Sequence, residues 1–149
     1  PYRDRPCAYA AILDPAGEGR LLLAATPNHG EAFLLPGGGI DPGESPLQAL
    51  HREVMEETGW RVAPVRRLGA FQHYRFMPDY GFWARKVCHV FLCRPVRPHG
   101  PPAEPDHDPV WMPLAEAARR LSVAGDRAFV AALHRARRRD GGAFRKASP

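Results

Sequence analysis

Apolar residues recur along this chain at two spacings, one typical of β-strands and the other typical of α-helices. Short apolar or alternating runs bounded by glycine and proline predict strands. The predicted strands are residues 7–13, 21–25, 33–35, 61–74, 87–93 and 110–114. Helical spacing predicts a helix after Ser45, a short helix over 115–121 and a last helix capped by Asp126. Residues 94–109 hold six prolines and are expected to form an irregular loop.

The predicted helix after Ser45 carries start and stop signals at its two ends. Ser45 is a favourable N-cap, and Pro46 follows at a first-turn position where its missing N–H costs nothing. Gly59 fits the helix end, because glycine readily adopts the left-handed conformation found there. The apolar residues at helical spacing are predicted to face a core: Leu47, Leu50 and Val54.

Three glutamates on this helix are candidates for metal binding. Glu53, Glu56 and Glu57 are spaced i, i+3 and i+4, so they share one face of the helix. Like charges at this spacing repel each other, so the stability of the helix does not explain them. A hard divalent cation does, because Mg²⁺ binds carboxylate oxygens together with substrate phosphates. Solvated glutamates are nevertheless common on helix surfaces, so the argument depends on the surrounding pattern.

The surrounding pattern covers residues 38–60 and is highly specific. It reads Gly38, five residues, Glu44, seven residues, Arg52-Glu53-Val54, one residue, Glu56-Glu57, one residue, Gly59-Trp60. This pattern resembles the signature of the Nudix hydrolases, and every charged and glycine position of that signature is matched. Trp60 is the one departure, because the family usually places an aliphatic residue there; we expect a repacked apolar contact and intact chemistry.

The resemblance implies an α/β fold, a Nudix-type α/β/α sandwich with a mixed central sheet. It further implies that Glu53, Glu56 and Glu57 bind Mg²⁺ or Mn²⁺, with a backbone carbonyl at Gly37 or Gly38 completing the site. Bound metal would neutralise phosphate oxygens and generate a nucleophile from water. The expected reaction is hydrolysis of the diphosphate linkage in a small molecule: a nucleotide sugar, ADP-ribose, a dinucleoside polyphosphate or a nucleoside triphosphate.

Two further charged residues of the signature are expected to support catalysis. The resemblance implies that Arg52 holds the metal-binding carboxylates in position by ion pairing. Arg52 and Glu56 are four residues apart on the helix, and Glu44 could reach the same guanidinium from the preceding loop. The alternatives are a solvated Arg52 and a Glu44 that only stabilises a turn.

Some family members take a catalytic base or an extra metal ligand from a loop outside the signature. The proline-rich loop of this chain offers acidic and histidine side chains for that role. These candidates are Glu104, Asp106, His107 and Asp108. Each of them could equally be a solvated surface group, so the origin of the base, within the signature or in this loop, stays open.

Residues 72–83 form the most aromatic stretch of the chain, and turn residues at their centre predict a hairpin tip. Exposed rings at such a tip could stack on a base, while nearby arginines could contact phosphates. The substrate-binding candidates are Tyr74, Arg75, Phe76 and Arg85. The alternatives are a hairpin that packs on the core and a contact between two copies in a homodimer.

Length and composition predict one compact domain over residues 1–149, with a flexible tail over 140–149. No apolar run approaches the roughly 18–20 residues of a membrane-spanning helix, and the first residues do not resemble a signal peptide. We therefore expect no membrane partner. Cys7, Cys88 and Cys93 have neither disulfide nor zinc-ligand spacing, which favours a reducing cytoplasm. Cys88 and Cys93 lie in a strand-like stretch and are expected to be small core residues.

The net charge of +5 comes almost entirely from arginine. We attribute most of these arginines to a GC-rich genome, so we expect no nucleic-acid partner. Two alternatives to the hydrolase exist on the same fold: a non-catalytic nucleotide sensor or RNA-binding protein, and an isomerase with a reactive cysteine–glutamate pair. The hydrolase is favoured because no signature carboxylate is missing and neither Cys7 nor Cys88 has an identifiable partner.

Overall fold

The computed structural model describes residues 2–26, 32–104 and 106–140. Within them the chain forms an α/β/α sandwich around a mixed sheet, which confirms the predicted fold class. The strands are β1 (Tyr2–Asp14), β2 (Arg20–Ala25), β3 (Phe33–Leu34), β4 (Gly37–Gly39), β5 (Trp60–Met77), β6 (Phe82–Pro98) and β7 (Asp108–Pro113). The helices are α1 (Pro46–Thr58), α2 (Leu114–Arg120) and α3 (Ala124–Arg139). The predicted flexible tail lies outside the described residues, apart from Asp140.

The described strands form one sheet in the order β3-β2-β1-β6-β5, with β4 also paired to β1 and β7 also paired to β2. The pairing of β1 with β6 is parallel, whereas the other pairings are antiparallel. The parallel pair begins at Tyr2 beside Trp83 and ends at Ile12 beside Cys93. Strand β1 therefore lies at the centre of the sheet, between the strand that carries the glycines and the long hairpin of β5 and β6.

Alternation along the strands gives the sheet two apolar faces. One face packs against α1 and buries Ile12, Leu22, Leu50 and Val54 in a single cluster. The other face packs against α2 and α3 and is the larger core. Its fully or nearly fully buried members include Leu21, Leu23, Leu35, Val90, Leu114, Leu121 and Val130. All three cysteines are buried, as predicted for Cys88 and Cys93. Among the described residues, no helix combines the length and apolarity needed to cross a membrane.

Strands β1, β5 and β6 are at least four residues longer than predicted, and the predicted loop over 94–109 is partly strand. Residues 94–98 continue β6 instead of beginning the irregular loop, because they pair with the start of β5 at Trp60. This extension contains Pro95 and Pro98, and proline is tolerated where the neighbouring strand does not need its N–H. Residues 37–39 likewise form a short strand, which pairs with β1.

Two helix predictions are wrong in detail. Asp126 is not an N-cap: α3 begins at Ala124 after Val123, and Asp126 lies buried in the first turn. Leu47 does not face the core, because its position near the start of α1 leaves its side chain 41% exposed. The buried face of α1 begins two residues later and includes Ala49.

Candidate active site

Helix α1 is fixed at both ends by the residues that the sequence indicated. The Ser45 hydroxyl accepts a hydrogen bond from the Gln48 backbone N–H at 3.1 Å, and the Gln48 side chain accepts from the Ser45 N–H at 2.8 Å. This reciprocal capping box satisfies N–H groups that have no partner inside the helix. Gly59 ends the helix in the left-handed conformation, with φ of 73°. The length and direction of the helix are therefore set locally.

Packing against the sheet fixes the position of α1 and therefore of its glutamates. Ala49, Leu50 and Val54 have no exposed surface, and they pack on the α1 side of the sheet. With that face buried, the turns that carry the glutamates point toward β4 and the rim of the sheet. Trp60, the departure from the family signature, packs edge-on against Trp111 with ring centroids 5.5 Å apart. The apolar contact beneath the helix is thus retained.

Strand β4 lies so close to β1 and α1 that an added Cβ atom would meet a neighbour at two of its glycines. A Cβ atom at Gly38 would lie 2.6 Å from the carboxyl carbon of Glu53. A Cβ atom at Gly37 would overlap the backbone of Ala8 on β1. The Gly37 N–H donates to Glu57 Oε2 at 3.0 Å. The backbone of the glycine strand therefore lies directly against two of the three signature carboxylates.

Arg52 connects the helix to the loop before it. Its Nε and one terminal nitrogen donate to both carboxylate oxygens of Glu44, at 2.8 and 2.9 Å. Its other terminal nitrogen donates to Glu53 at 2.9 Å, and the Gly39 carbonyl accepts a further bond at 3.1 Å. The distance to Glu56 is longer, 3.7 Å. The contact between Arg52 and Glu44 that we expected is present, and Glu53 is held more tightly than Glu56.

The loop before β7 brings two more ligand-type side chains to the glutamates. The Glu104 N–H donates to the Glu56 carbonyl at 3.1 Å, which places the Glu104 carboxylate beside α1. His107 lies 2.9 Å from Glu104 through Nδ1 and 3.9 Å from Glu57 through Nε2. We call Glu53, Glu56, Glu57, Glu104 and His107 the carboxylate cluster.

The carboxylate cluster contains two groups of possible metal ligands. Glu53, Glu56 and Glu104 form one group, and Glu57, Glu104 and His107 form the other; within each group the ligand atoms lie within 4.8 Å of one another. Glu104 belongs to both. Of the loop candidates, Glu104 and His107 reach the cluster, whereas Asp106 and Asp108 belong to neither group among the described residues.

Burial makes the cluster electrostatically unfavourable in the absence of a cation. Desolvation raises the pKa of Glu57 to about 8, although the Gly37 N–H opposes the shift. Desolvation also raises the pKa of Glu53, and here Arg52 opposes it. In contrast, the hydrogen bonds from Arg52 lower the pKa of Glu44 to about 2, so that residue stays ionised. A bound divalent cation would favour the ionised forms of Glu53 and Glu57.

A cavity of about 240 Å³ opens beside Glu57 and His107 on the opposite side of the sheet from α1. We call it the α3 cavity, because Val123 and Asp126 at the start of α3 form its roof. Its walls come from five strands and from the chain before β4. They include Tyr9, Leu35, Phe71, His73, Arg75 and Lys86. The cavity therefore joins the carboxylate cluster to a partly apolar recess.

The four candidates of the aromatic hairpin divide between the two faces of β5 and β6. Arg75 lines the α3 cavity, together with His73 on the same strand face. Tyr74 and Phe76 alternate to the other face, where they are 48% and 43% exposed. Tyr74 contacts Tyr2, Phe76 contacts Trp83, and Arg85 forms a two-point ion pair with Asp4 at 2.7 and 2.9 Å.

Several cavity residues were absent from the sequence prediction. Tyr9, Lys86 and Asp126 come from three separate elements, and no short motif joins them. His73 could have been identified, because it alternates with Phe71 and Arg75 along one predicted strand. The prediction selected consecutive residues 74–76 and so mixed the two faces of that strand.

Comparisons with known proteins agree with this architecture. A family model described as NUDIX domain matches residues 3–133. The CMP-5'-(N-acetyl-N-hydroxy-3-aminopropyl)phosphonate hydrolase of Streptomyces rubellomurinus is 37% identical over 89 residues, 58% of this chain and 40% of that protein. The RNA pyrophosphohydrolase of Pectobacterium atrosepticum is 51% identical over 43 residues, 29% of this chain and 24% of that protein. The chain thus matches less than half the length of these curated relatives.

Similarity to solved structures extends further along the chain. The NUDIX hydrolase from Nitrosomonas europaea has a TM-score of 0.71 at 20% sequence identity, and the match covers 90% of each chain. The MutT protein from Methanosarcina mazei has a TM-score of 0.69 at 25% identity, covering 90% of this chain and 95% of that one. The fold is therefore shared over most of the described residues.

Proposed function

Because the chain belongs to the Nudix family, we propose that it is a pyrophosphohydrolase that cleaves the diphosphate linkage of a nucleotide derivative. One observation carries this proposal above the others. The three signature glutamates and Glu104 converge on the glycine strand, immediately beside a cavity that can receive the rest of a substrate. The two curated relatives named above support a nucleotide, since their names specify a CMP-linked phosphonate and RNA.

The residues of the carboxylate cluster fit Mg²⁺ or Mn²⁺. Both groups of candidate ligands are dominated by carboxylate oxygens, the donors that these hard cations prefer. Glu53 and Glu57 are pushed toward the protonated state by burial, and a cation would offset that penalty. Glu53, Glu56, Glu57 and Glu104 would hold the metal, with a backbone carbonyl of Gly37 or Gly38 as a further ligand. When bound, the metal would neutralise phosphate oxygens and acidify water.

The chain's own residues supply orientation and proton transfer. Arg52 fixes Glu53 through one nitrogen while its other donors bind Glu44, so the carboxylate cannot rotate freely. Glu104 is the best candidate for the group that orients and deprotonates the attacking water. It comes from outside the signature, it belongs to both ligand groups, and His107 Nδ1 lies 2.9 Å from it. Through this close contact His107 would help to hold the Glu104 carboxylate in place.

Positive side chains line the cavity on the side away from α1. Arg75 and Lys86 both reach it, and neither has an ion pair among the described residues. They could neutralise the phosphate groups of a substrate whose diphosphate lies at the carboxylate cluster. Attack by water at phosphorus would release either a phosphate ester and phosphate, or two phosphate esters.

A non-catalytic sensor on the same fold is the competing function. All signature carboxylates are present, and Arg52 holds two carboxylates in hydrogen bonds, an arrangement that a sensor does not require. We therefore favour the enzyme. A homodimer and a cytoplasmic location stay predictions, as does the absence of a nucleic-acid partner.

The proposal is tested by assaying nucleotide sugars, ADP-ribose, dinucleoside polyphosphates, nucleoside triphosphates and a 5′-triphosphorylated oligoribonucleotide with Mg²⁺ or Mn²⁺. We expect hydrolysis of at least one substrate, loss of activity with a chelator, and recovery on adding metal. The double variant Glu56→Gln and Glu57→Gln should lower kcat about a thousandfold, because metal catalysis contributes several kcal/mol. Glu116→Gln, a change at an exposed glutamate on α2, is the matched control. Parent activity in the double variant would refute the metal site.

A further inference from the structure

Two of the three buried cysteines lie side by side in the sheet. Cys7 of β1 and Cys88 of β6 are register partners in the parallel pair, and their thiols are in hydrogen-bond contact. Cys88 lies two residues before Val90, a member of the core on the α2 and α3 side, so Cys88 and its register partner both face that side. The third cysteine, Cys93, belongs to the cluster on the α1 side.

Burial explains each cysteine of the pair but does not explain their pairing. A free cysteine behaves as a small apolar residue, so either position alone is ordinary core packing. Two thiols at directly paired positions are a different case, because neighbouring strands lie about 4.8 Å apart. A disulfide joins Cα atoms that are separated by roughly 4.4–6.8 Å. The two sulfurs can therefore bond without a large movement of the backbone.

The α3 cavity gives small molecules a route to the pair. Cys88 lines the cavity, although Cys7 and Cys88 are only 1% and 2% exposed. A molecule as small as H₂O₂ fits within about 240 Å³, whereas a second protein cannot reach either sulfur. A hydrogen bond from the neighbouring thiol lowers the pKa of Cys7. Cys7 is therefore the thiol of the pair that attacks an oxidant first.

Strand β1 connects the cysteine pair to the carboxylate cluster. At the other edge of β1, Cys7 pairs with Gly39 of β4, and the Gly39 carbonyl accepts a hydrogen bond from Arg52 at 3.1 Å. Two residues earlier on β4, the Gly37 N–H donates to Glu57 at 3.0 Å. A bond that draws β1 toward β6 at Cys7 would therefore shift the glycine strand relative to the side chains of α1 that contact it.

We propose that Cys7 and Cys88 form a reversible disulfide on exposure to a hydroperoxide, and that this bond weakens metal binding by the carboxylate cluster. The Cys7 thiolate attacks H₂O₂, so that an S–O bond forms, the O–O bond breaks and hydroxide leaves. The sulfur is thereby oxidised to a sulfenic acid, and the hydroxide takes the proton of the Cys88 thiol. The Cys88 thiolate then attacks the sulfenic sulfur. The S–S bond forms, the S–O bond breaks, and the second hydroxide takes the proton that Cys7 had released.

The position of the pair also makes the bond reversible. A separation at the short end of the disulfide range strains the bond, and strained disulfides are the more easily reduced ones. A dithiol reductant would be oxidised in exchange and would restore both thiols. Formation of the bond does not depend on the proposed function. Its effect rests on that function in one respect, that the carboxylate cluster binds a divalent metal.

The first measurement detects the bond itself. The metal-free protein is treated with H₂O₂ in the presence of a chelator, the remaining thiols are alkylated in denaturant, and the peptides are mapped by mass spectrometry. We expect the intact mass to fall by about 2 Da, for the two hydrogens lost. We also expect a peptide pair that joins Cys7 to Cys88 and that dithiothreitol separates. Cys93 should stay a free thiol, because burial raises its pKa to about 12 and its partner on β1 is Ile12.

The second measurement compares the affinity for Mn²⁺ of the reduced and the oxidised protein by calorimetry. We expect oxidation to weaken binding about tenfold, as for other changes behind metal ligands. Reduction, followed by removal of the reductant, should restore the affinity. Cys7→Ala and Cys88→Ala should each keep the affinity of the reduced protein and lose the response to H₂O₂. Two such variants are made so that the test survives if one does not fold. Cys93→Ala is the matched control and should respond as the wild type does.

Three results would each overturn the proposal: no cross-link, a cross-link that includes Cys93, or an oxidised protein that binds Mn²⁺ as tightly as the reduced one. Failure of the proposed function gives a different result. A cross-link that weakens Mn²⁺ binding, without hydrolysis of any substrate, would leave the redox site standing and refute the enzyme. Metal-dependent hydrolysis by a protein that forms no cross-link would do the reverse.

Discussion

The carboxylate cluster and the α3 cavity share Glu57, but their carboxylates differ in how many hydrogen-bond donors they contact. In the cluster, Arg52 donates to Glu44 and Glu53, and the Gly37 N–H donates to Glu57. In the cavity, Asp126 is buried and accepts from the Leu35 N–H, while its Oδ1 has no hydrogen-bond partner among the described residues. Donors therefore orient the carboxylates of the cluster, whereas the acid of the cavity is governed mainly by its burial.

The largest effect is expected where the glycine strand supports the cluster. Gly37→Ala would place a Cβ atom against the Ala8 carbonyl and 2.6 Å from the Tyr9 Cα. Both contacts are backbone atoms of β1, so the strand pair must separate. We expect a loss of about 3 kcal/mol in the free energy of unfolding, in the range for severe overpacking. Urea denaturation measures it, and wild-type stability would show that β4 can shift freely.

The next largest effect is expected at Arg52, whose guanidinium holds a carboxylate of the cluster in place. Arg52→Lys keeps the charge but loses the two-point contact with Glu44 and the simultaneous bond to Glu53. We expect kcat/KM to fall roughly 10- to 100-fold, as for other residues that orient metal ligands. Arg120→Lys, on an exposed i,i+4 pair with Glu116, is the control. Full activity in Arg52→Lys would mean that charge alone suffices.

A smaller and more selective effect is expected at Gly38. Gly38→Ala would bring a Cβ atom to 2.8 Å from both Glu53 carboxylate oxygens, whereas a Cβ atom at Gly39 meets nothing within 4 Å. Because the Glu53 carboxylate can swing away, Gly38→Ala should keep most of its stability. We expect its affinity for Mn²⁺, measured by calorimetry, to fall about tenfold. Equal affinities of Gly38→Ala and Gly39→Ala would show that Glu53 does not bind the metal.

The smallest effect is expected at Asp126 in the α3 cavity, as a change in how the free energy of unfolding depends on pH. Burial raises the pKa of Asp126 to about 7, so the folded protein binds this proton more tightly than the unfolded chain. The stability that this proton contributes is lost as pH rises through that value. Compared with wild type, Asp126→Asn should therefore gain roughly 1–2 kcal/mol between about pH 5 and pH 8.

Urea denaturation of both proteins with a chelator present measures this difference. Glu57, whose pKa is also raised, lowers stability over the same range. It does so in both proteins, so its contribution cancels in the comparison. A constant difference between them would mean that Asp126 does not bind a proton in this range.

The two regions also differ in how far the sequence predicted them. Residues 44–60 contain their own cap, helix, ion-pair partners and stop, so local spacing predicted most of the cluster. The α3 cavity joins Tyr9, Phe71, Lys86 and Asp126, whose proximity depends on strand register and helix packing. Asp126 was interpreted as a cap because capping is its common local role, and tertiary burial decided otherwise.

The parallel pairing of β1 with β6 has a consequence for how the chain folds. Asp4 and Arg85 face each other across it although 81 residues separate them. Loop closure over such a distance is entropically costly, and non-local pairing slows folding. During synthesis the capped helix that carries the glutamates leaves the ribosome well before β6. We therefore expect α1 to form early but to lack part of the sheet surface on which it packs until the hairpin of β5 and β6 pairs with β1. That pairing is expected to be the slow step of folding.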